Sequence, residues 1–349
     1  MQISIPSILR IKPNALHKLG KYLRKSKMDK IAIFWGEGIK DIFYDNIHIS
    51  LESSEINVVY EETVSDNEIG KLFESSFSLP SNVEAVVAIG GGKVIDYCKY
   101  MAYIKHLPIM SIPTSISNDG FASPMSSIYV KGKRKSLQAK IPEAVIVDTK
   151  VVKESPARFI YSGIGDLVSN ITAIYDWKLA VKQVDGAIND FAALVSENAV
   201  ENFMNYQNKD IKDIELIRLI SGSLVMNGIS MEISQSSRPS SGSEHLISHA
   251  YDLYAKNPTL HGIQVGVATY CVSYVQQNTQ FENIKKVFEE TGFFKFVEEN
   301  PLNREDFLKS VDMAKNMKEN FYTILSKEGS IEKIKKFIEE DEWCKKIIR

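Results

Sequence analysis

Along the first 150 positions, short apolar runs alternate with stretches whose apolar residues recur at helical spacing. DKIAIFWG (29–36), INVVYEE (56–62), VEAVVAIGGG (83–92) and LPIMSIPT (107–114) are brief and rich in β-formers, which predicts buried strands. Between them, NEIGKLFESSF and VIDYCKYMAYI carry the helical pattern. Strands and helices alternating at this length predict βαβ units around a mostly parallel sheet. SSIYVKGKRKSLQA then alternates polar positions about Lys131-Gly132-Lys133, the mark of a β-hairpin, and PEAVIVDT (142–149) reads as a last buried strand.

After residue 150 the texture changes. Strand-like runs give way to long helical patterns in DLVSNITAIYDWKLAVKQ, DFAALVSENAVENFMNY, IELIRLISGSLVMNGISME and GIQVGVATYCVSYVQQ. Asp166, after Gly165, is expected to start a helix. A chain of 349 residues exceeds one ordinary core. We therefore expect an α/β domain over residues 1–150 and an all-α domain over 151–349, its charged tail from about 295 helical and peripheral.

Composition is globular, 44% apolar and 25% charged. A net charge of −2 lacks the basic face that nucleic acid requires, although a local pocket for a small anion remains open. Cys98, Cys271 and Cys344 are far apart and outside any CxxC spacing, as expected of free thiols in a reducing cytosol. The segment MQISIPSILRIKPNAL has no long apolar core, and no run reaches about 18 apolar residues. These features predict a cytoplasmic protein with neither a membrane nor a nucleic-acid partner.

Two places carry chemistry. Gly90-Gly91-Gly92 follows one expected strand and precedes a helix, so backbone N–H groups there can meet a phosphate. The triplet is neither GxGxxG nor GxxxxGKS, and an ordinary tight βα turn is the alternative reading. Asp96, in the expected first helical turn, either favours the positive helix end or hydrogen-bonds a ribose. PTSISNDGFASP (113–124) follows the next strand on the usual ligand side of such a sheet.

The second place is a histidine cluster. His245, His249 and His261 are three of the chain's six histidines and lie close in sequence. His245 and His249, four apart, share a helix face, and Asp166 offers a carboxylate. A catalytic divalent site uses three protein ligands and keeps one position open, so four candidates compete for three places. Half-buried structural histidines are the alternative. His17, His48 and His106 suggest no role.

Taken together, AIGGGKVIDYCKY, IPTSISNDGFASP, IPEAVIVDT, SPARFIYSGIGDLVSNITAIYDWKLA, SRPSSGSEHLISHAYD and LHGIQVGVAT resemble the sn-glycerol-1-phosphate dehydrogenases. These belong to the dehydroquinate synthase-like and iron-containing alcohol dehydrogenase superfamily. The resemblance covers about residues 83–270. It implies a Rossmann-like N-terminal domain with a parallel sheet, an all-α metal-binding domain, and reversible NAD(P)H reduction of dihydroxyacetone phosphate to sn-glycerol 1-phosphate. Asp166, His245 and His261 would hold the metal, usually zinc, with nickel or iron also compatible. His249 would face the substrate, which Asp119 and Asp166 would also contact, and His249 or a water it positions is the candidate proton relay. Gly90, Gly91, Gly92, Lys93, Val94 and Asp96 would hold the pyrophosphate and nicotinamide ribose, with Thr114, Ser117 and Ser123 also on the NAD or NADP.

Within the same resemblance, Glu37 is a candidate adenine-ribose partner, and Lys131, Lys133, Arg134 and Arg238 are cations available to the substrate phosphate. Relatives commonly self-associate, which implies a homo-oligomer. A polyol dehydrogenase for glycerol and a sugar-phosphate cyclase of the dehydroquinate synthase type are the rival readings. NDGFASP speaks against the first, and the modest number of cations against the second.

Overall fold

The computed structural model describes residues 3–184 and 187–349, and the chain divides between Ser155 and Pro156 into two compact units. In the first, β1 (Ile8–Lys12), β2 (Lys30–Gly36), β3 (Asn57–Val64), β4 (Ala85–Gly90), β5 (Ile109–Pro113), β6 (Met125–Val130), β7 (Lys133–Gln138) and β8 (Ala144–Asp148) form two sheets. Six strands pair parallel in the order β1-β8-β5-β4-β2-β3. Helices α1 (Leu19–Lys25), α2 (Lys40–Glu52), α3 (Ile69–Ser78), α4 (Gly92–Ile104) and α5 (Thr149–Glu154) alternate with these strands.

Every residue of β4, β5 and β8 is buried, because the strands are covered on both faces. Their sequences are accordingly continuous apolar runs rather than alternating ones. β1 was not anticipated from the sequence: at the sheet edge beside β8, only Ile8 of its residues is buried, so no apolar run marks it. β6 and β7 form the expected antiparallel hairpin. Lys131 and Gly132 at its tip have φ of +52° and +71°, the pair of positive values that a tight primed turn requires.

β2 lies between β3 and β4, so the β2–β3 and β3–β4 connections run in opposite directions along the sheet. The carboxyl ends of β2 and β4 therefore flank a topological switch point, the place where open α/β sheets bind ligands.

The second unit is helical: α6 (Ala157–Val168), α7 (Asn170–Gln183), α8 (Asp190–Asn205), α9 (Ile214–Ser234), α10 (Ser243–Tyr254) and α11 (His261–Val275), with more helices between Phe281 and Ile347. Its one β contact among the described residues is an isolated bridge between Leu302 and Ile348. By length and composition α9 alone among the described helices could cross a membrane, but 61% of that window is buried, as in a core helix.

Two sequence expectations need correction. Asp166 does not start a helix; it lies in the last turn of α6, which begins after Pro156 and buries Ile160, Ile164 and Leu167 at helical spacing. Asp96 lies in the second turn of α4, since the helix begins at Gly92, beyond the first turn where the helix dipole acts.

Candidate active site

The three glycines after β4 serve different ends. Gly90 has φ of +148°, and a Cβ there would lie 2.8 Å from Val94 Cγ1 and 3.1 Å from the backbone of Gly36, where β2 ends. The fold itself requires glycine at that position. At Gly91 a Cβ would meet only Ser115 Oγ at 3.8 Å, and at Gly92 nothing within 4 Å. No side chain caps α4 at Gly91, so its first-turn N–H groups lack partners within the helix. Open room beside uncapped N–H groups suits the pyrophosphate of a dinucleotide.

Neighbouring residues frame this turn. Thr114 N–H donates to Gly90 O at 3.0 Å, Lys93 Nζ donates to Ser65 O at 2.8 Å, and Val94 is buried beneath. Ser117 is half-buried; Ser123 is buried, with Oγ 3.4 Å from Met125 O. Asp119 is half-buried and opens a single helical turn, shaped by Asn118 Oδ1 accepting the Gly120 N–H at 2.9 Å. Asp96 has partners within the protein: Lys99 Nζ lies 3.1 Å from its Oδ1, and the Ser127 N–H also hydrogen-bonds it. Burial raises the Asp96 pKa despite the adjacent ammonium.

In the second unit, close helix contact builds the cluster. A Cβ on Gly165 of α6 would lie 2.0 Å from Gly262 O, and one on Gly262 of α11 would lie 1.9 Å from Ser162 O. Backbone therefore packs on backbone, and Ser162 Oγ accepts the Gly262 N–H at 3.1 Å. This contact brings Asp166, which follows Gly165, against His261, which precedes Gly262. His245 Nε2 is 3.6 Å and His261 Nε2 3.9 Å from the same oxygen, Asp166 Oδ1. Among the described residues, Asp166, His245 and His261 each offer a ligand atom within 4.8 Å of the others. His249 is exposed, its ring centroid 6.3 Å from His245 and 6.0 Å from His261, and lies outside that group.

The imidazoles are oriented from behind. Glu244, fully buried, places Oε1 2.9 Å from His245 Nδ1, and it also accepts the Gly242 N–H and the Thr172 hydroxyl. An ionised carboxylate only accepts, so Nδ1 carries the hydrogen and Nε2 faces Asp166. Ser248 Oγ lies 3.0 Å from His261 Nδ1 and donates its own proton to Gln264 Oε1 at 2.7 Å. Gln264 is held in that orientation by donating to Asp252 Oδ1 and Thr259 O. The His261 Nδ1 is therefore also the donor nitrogen.

Two imidazole nitrogens and one carboxylate oxygen, each set by an outer hydrogen bond, fit a zinc-like divalent ion with an open position. Electrostatics agree. Burial opposes charge on His245, but hydrogen bonds to Asp166 and Glu244 override it and push its pKa up to about 10. The site thus favours a cation. Behind it, Asp176 accepts the N–H groups of Ser243 and Ile324, each at 2.8 Å, and the Ser243 hydroxyl. Burial, and then the charge of Glu244, raise the Asp176 pKa to about 7 against those bonds.

Sequence reading assigned no role to Glu244, Ser248, Gln264, Lys99 or the Gly165–Gly262 contact. The signal available was that each lies within a segment that carries the resemblance, Glu244 and Ser248 in SGSEHLISH, Gln264 and Gly262 in LHGIQVGVAT, Lys99 in AIGGGKVIDYCKY and Gly165 in SGIGDLVSN. Of the cations considered, Lys131, Lys133 and Arg134 are exposed on the hairpin, whereas Arg238 is half-buried, donates to Tyr322 O at 2.7 Å and stacks 3.5 Å over Phe321.

A model of the iron-containing alcohol dehydrogenase family matches residues 10–156. The chain is 33% identical over 308 residues to glycerol-1-phosphate dehydrogenase (NAD(P)+) of Pyrococcus furiosus, covering 88% of each. It is 36% identical over 302 residues to the protein of that name from Methanosphaera stadtmanae, covering 86% of this chain and 85% of that one. Among solved structures, glycerol dehydrogenase from Schizosaccharomyces pombe matches with a TM-score of 0.78 at 18% identity, over 99% of this chain and 91% of that one. That likeness establishes the shared fold.

Proposed function

This chain belongs to the glycerol-1-phosphate dehydrogenase family, and on that premise we propose that it reversibly reduces dihydroxyacetone phosphate to sn-glycerol 1-phosphate with NAD(P)H at a divalent metal. The observation that carries this reading is the convergence of Asp166 Oδ1 with the Nε2 atoms of His245 and His261, both rings pinned through Nδ1. In this reading the first unit holds the dinucleotide and the second holds the metal.

Asp166, His245 and His261 hold the ion, and zinc suits the mixed nitrogen and oxygen donors, with nickel or iron compatible. Bound there, the ion supplies a Lewis acid for the substrate carbonyl, and NAD(P)H supplies the hydride. Gly91 and Gly92 leave room for the pyrophosphate, and the first-turn N–H groups of α4 orient it. Gly90 shapes the turn, Lys93 and Val94 flank it, and Thr114 follows β5 beside it, with Ser117 three residues further along the same loop. Asp119, at the start of its helical turn, contacts the substrate. His249, exposed and one turn beyond His245, delivers the proton that the former carbonyl oxygen takes up on reduction.

A direct test is NADH and NADPH oxidation with dihydroxyacetone phosphate and, in parallel, with unphosphorylated dihydroxyacetone. The reading expects turnover of the phosphate ester, loss of activity on chelation, and recovery with a divalent ion. Activity indifferent to complete metal removal would refute the metal's role. Preference for the unphosphorylated ketone would move the chain to the glycerol dehydrogenases.

A further inference from the structure

Lys99, on α4, is a fully buried lysine that the reaction does not require as an acid or base. Its Nζ donates to the carbonyl oxygens of Gly120, Ser123 and Met125, the Ser123 contact at 3.2 Å, and lies 3.1 Å from Asp96 Oδ1. These carbonyls belong to the turn that carries Asp119 and to the strand it enters. Buried carbonyls need donors, and an ammonium supplies three at the end of a long stem. A buried ammonium in turn needs a counter-charge. Asp96 supplies it from one turn earlier on the same helix, and also takes the Ser127 N–H. One ion pair thus grips the chain at Gly120, Ser123, Met125 and Ser127. The packing is direct, since a Cβ on Gly120 would lie 3.9 Å from Asp96 Oδ1.

We propose that Lys99, with Asp96 as its counter-ion, is a positioning residue for the reaction: it clamps the 119–125 turn and so sets Asp119 against the substrate. With its three hydrogens shared among three carbonyls and Asp96, Lys99 acts through the backbone and not by proton transfer. A methionine at this position would fill similar space but leave the carbonyls without donors and Asp96 without a partner. The inference rests on the reading of Asp119 as a substrate contact, so its test separates the clamp from that reading.

The test is a double-mutant cycle of Lys99→Met and Asp119→Asn, read as kcat/KM for dihydroxyacetone phosphate, alongside amide hydrogen exchange over residues 119–127. The clamp predicts that Lys99→Met lowers kcat/KM at least about tenfold when Asp119 is present and less than about threefold when it is Asn. It also predicts faster exchange confined to the turn, with partial rescue of both readouts in Lys99→Arg. An equal loss in both backgrounds, or exchange unchanged from wild type, overturns it. If wild type does not reduce dihydroxyacetone phosphate, the substrate reading has failed and the exchange comparison alone decides the clamp. If Lys99→Met does not fold, Lys99→Gln, which removes the charge and shortens the reach to the carbonyls, enters the same cycle with the same expected outcomes.

Discussion

Nδ1 of His245 lies 2.9 Å from Oε1 of Glu244, the residue before it in the chain, and that carboxylate is fully buried. Adjacent helical residues do not ordinarily face each other. Here Glu244 sits in the first turn of α10 and curls back to accept the Gly242 N–H, which turns its other contacts toward Thr172 and His245. One carboxylate therefore secures the helix start and fixes an imidazole at once.

Replacing it with Gln keeps the shape but removes the charge and gives the side chain an amide that can turn its donors toward Nδ1. We expect Glu244→Gln to weaken zinc binding about 10–100-fold, measured by competition with a chromophoric chelator. Affinity within about twofold of wild type would show that the contact does not tune the ligand.

The histidines divide by role. His261→Ala should abolish stoichiometric metal in the purified protein. His249→Ala should retain the metal yet lower kcat by about 10²–10⁴. Metal analysis beside steady-state kinetics separates the two, and loss of metal from His249→Ala would contradict the division.

Glycines in the two units should respond oppositely to alanine. At Gly92 a Cβ meets nothing within 4 Å, so Gly92→Ala should leave stability unchanged or raise it by up to about 1 kcal/mol while weakening NADH binding at least tenfold. At Gly262 a Cβ would lie 1.9 Å from Ser162 O, and Gly262→Ala should destabilise by about 3 kcal/mol and lose metal. Denaturant unfolding and NADH fluorescence titration check both. Wild-type NADH affinity in Gly92→Ala would refute the phosphate cradle.

Much of this was legible before any coordinates. β4, β5 and β8 are buried on both faces and so spell unbroken apolar runs, whereas β1, half-exposed at an edge, spells nothing distinctive. The break at Ser169 between α6 and α7 was hidden because apolar spacing continues across it. Residue types in the metal cluster were readable, but spacing places His245 and His249 alike on one helix face. That His261 meets Asp166 depends on the α6–α11 contact, which rests on two glycines nearly 100 residues apart. Glu244 and Lys99 escaped for a related reason. Charged residues read as surface positions until distant segments arrive to bury and pair them.

Asp176 gives the helical unit a pH signature. Its folded pKa is raised from 3.8 to about 7, so over that window the folded state binds a proton that the unfolded state has released. Its contribution to stability therefore falls as pH rises from 3.8 to about 7 and levels off above. Asp176→Asn should flatten that part of the profile, as denaturant midpoints at about pH 5 and about pH 8 would reveal. An unaltered slope would mean that Asp176 is ionised throughout.

The central claim is the reaction itself, and the stereochemistry of its product tests it most directly. Purified protein with zinc, NAD(P)H and dihydroxyacetone phosphate should yield glycerol phosphate of the sn-1 configuration, resolved by chiral analysis, with one NAD(P)H consumed per product. An sn-3 product, or no NAD(P)H consumption by the metal-replete enzyme, would contradict it.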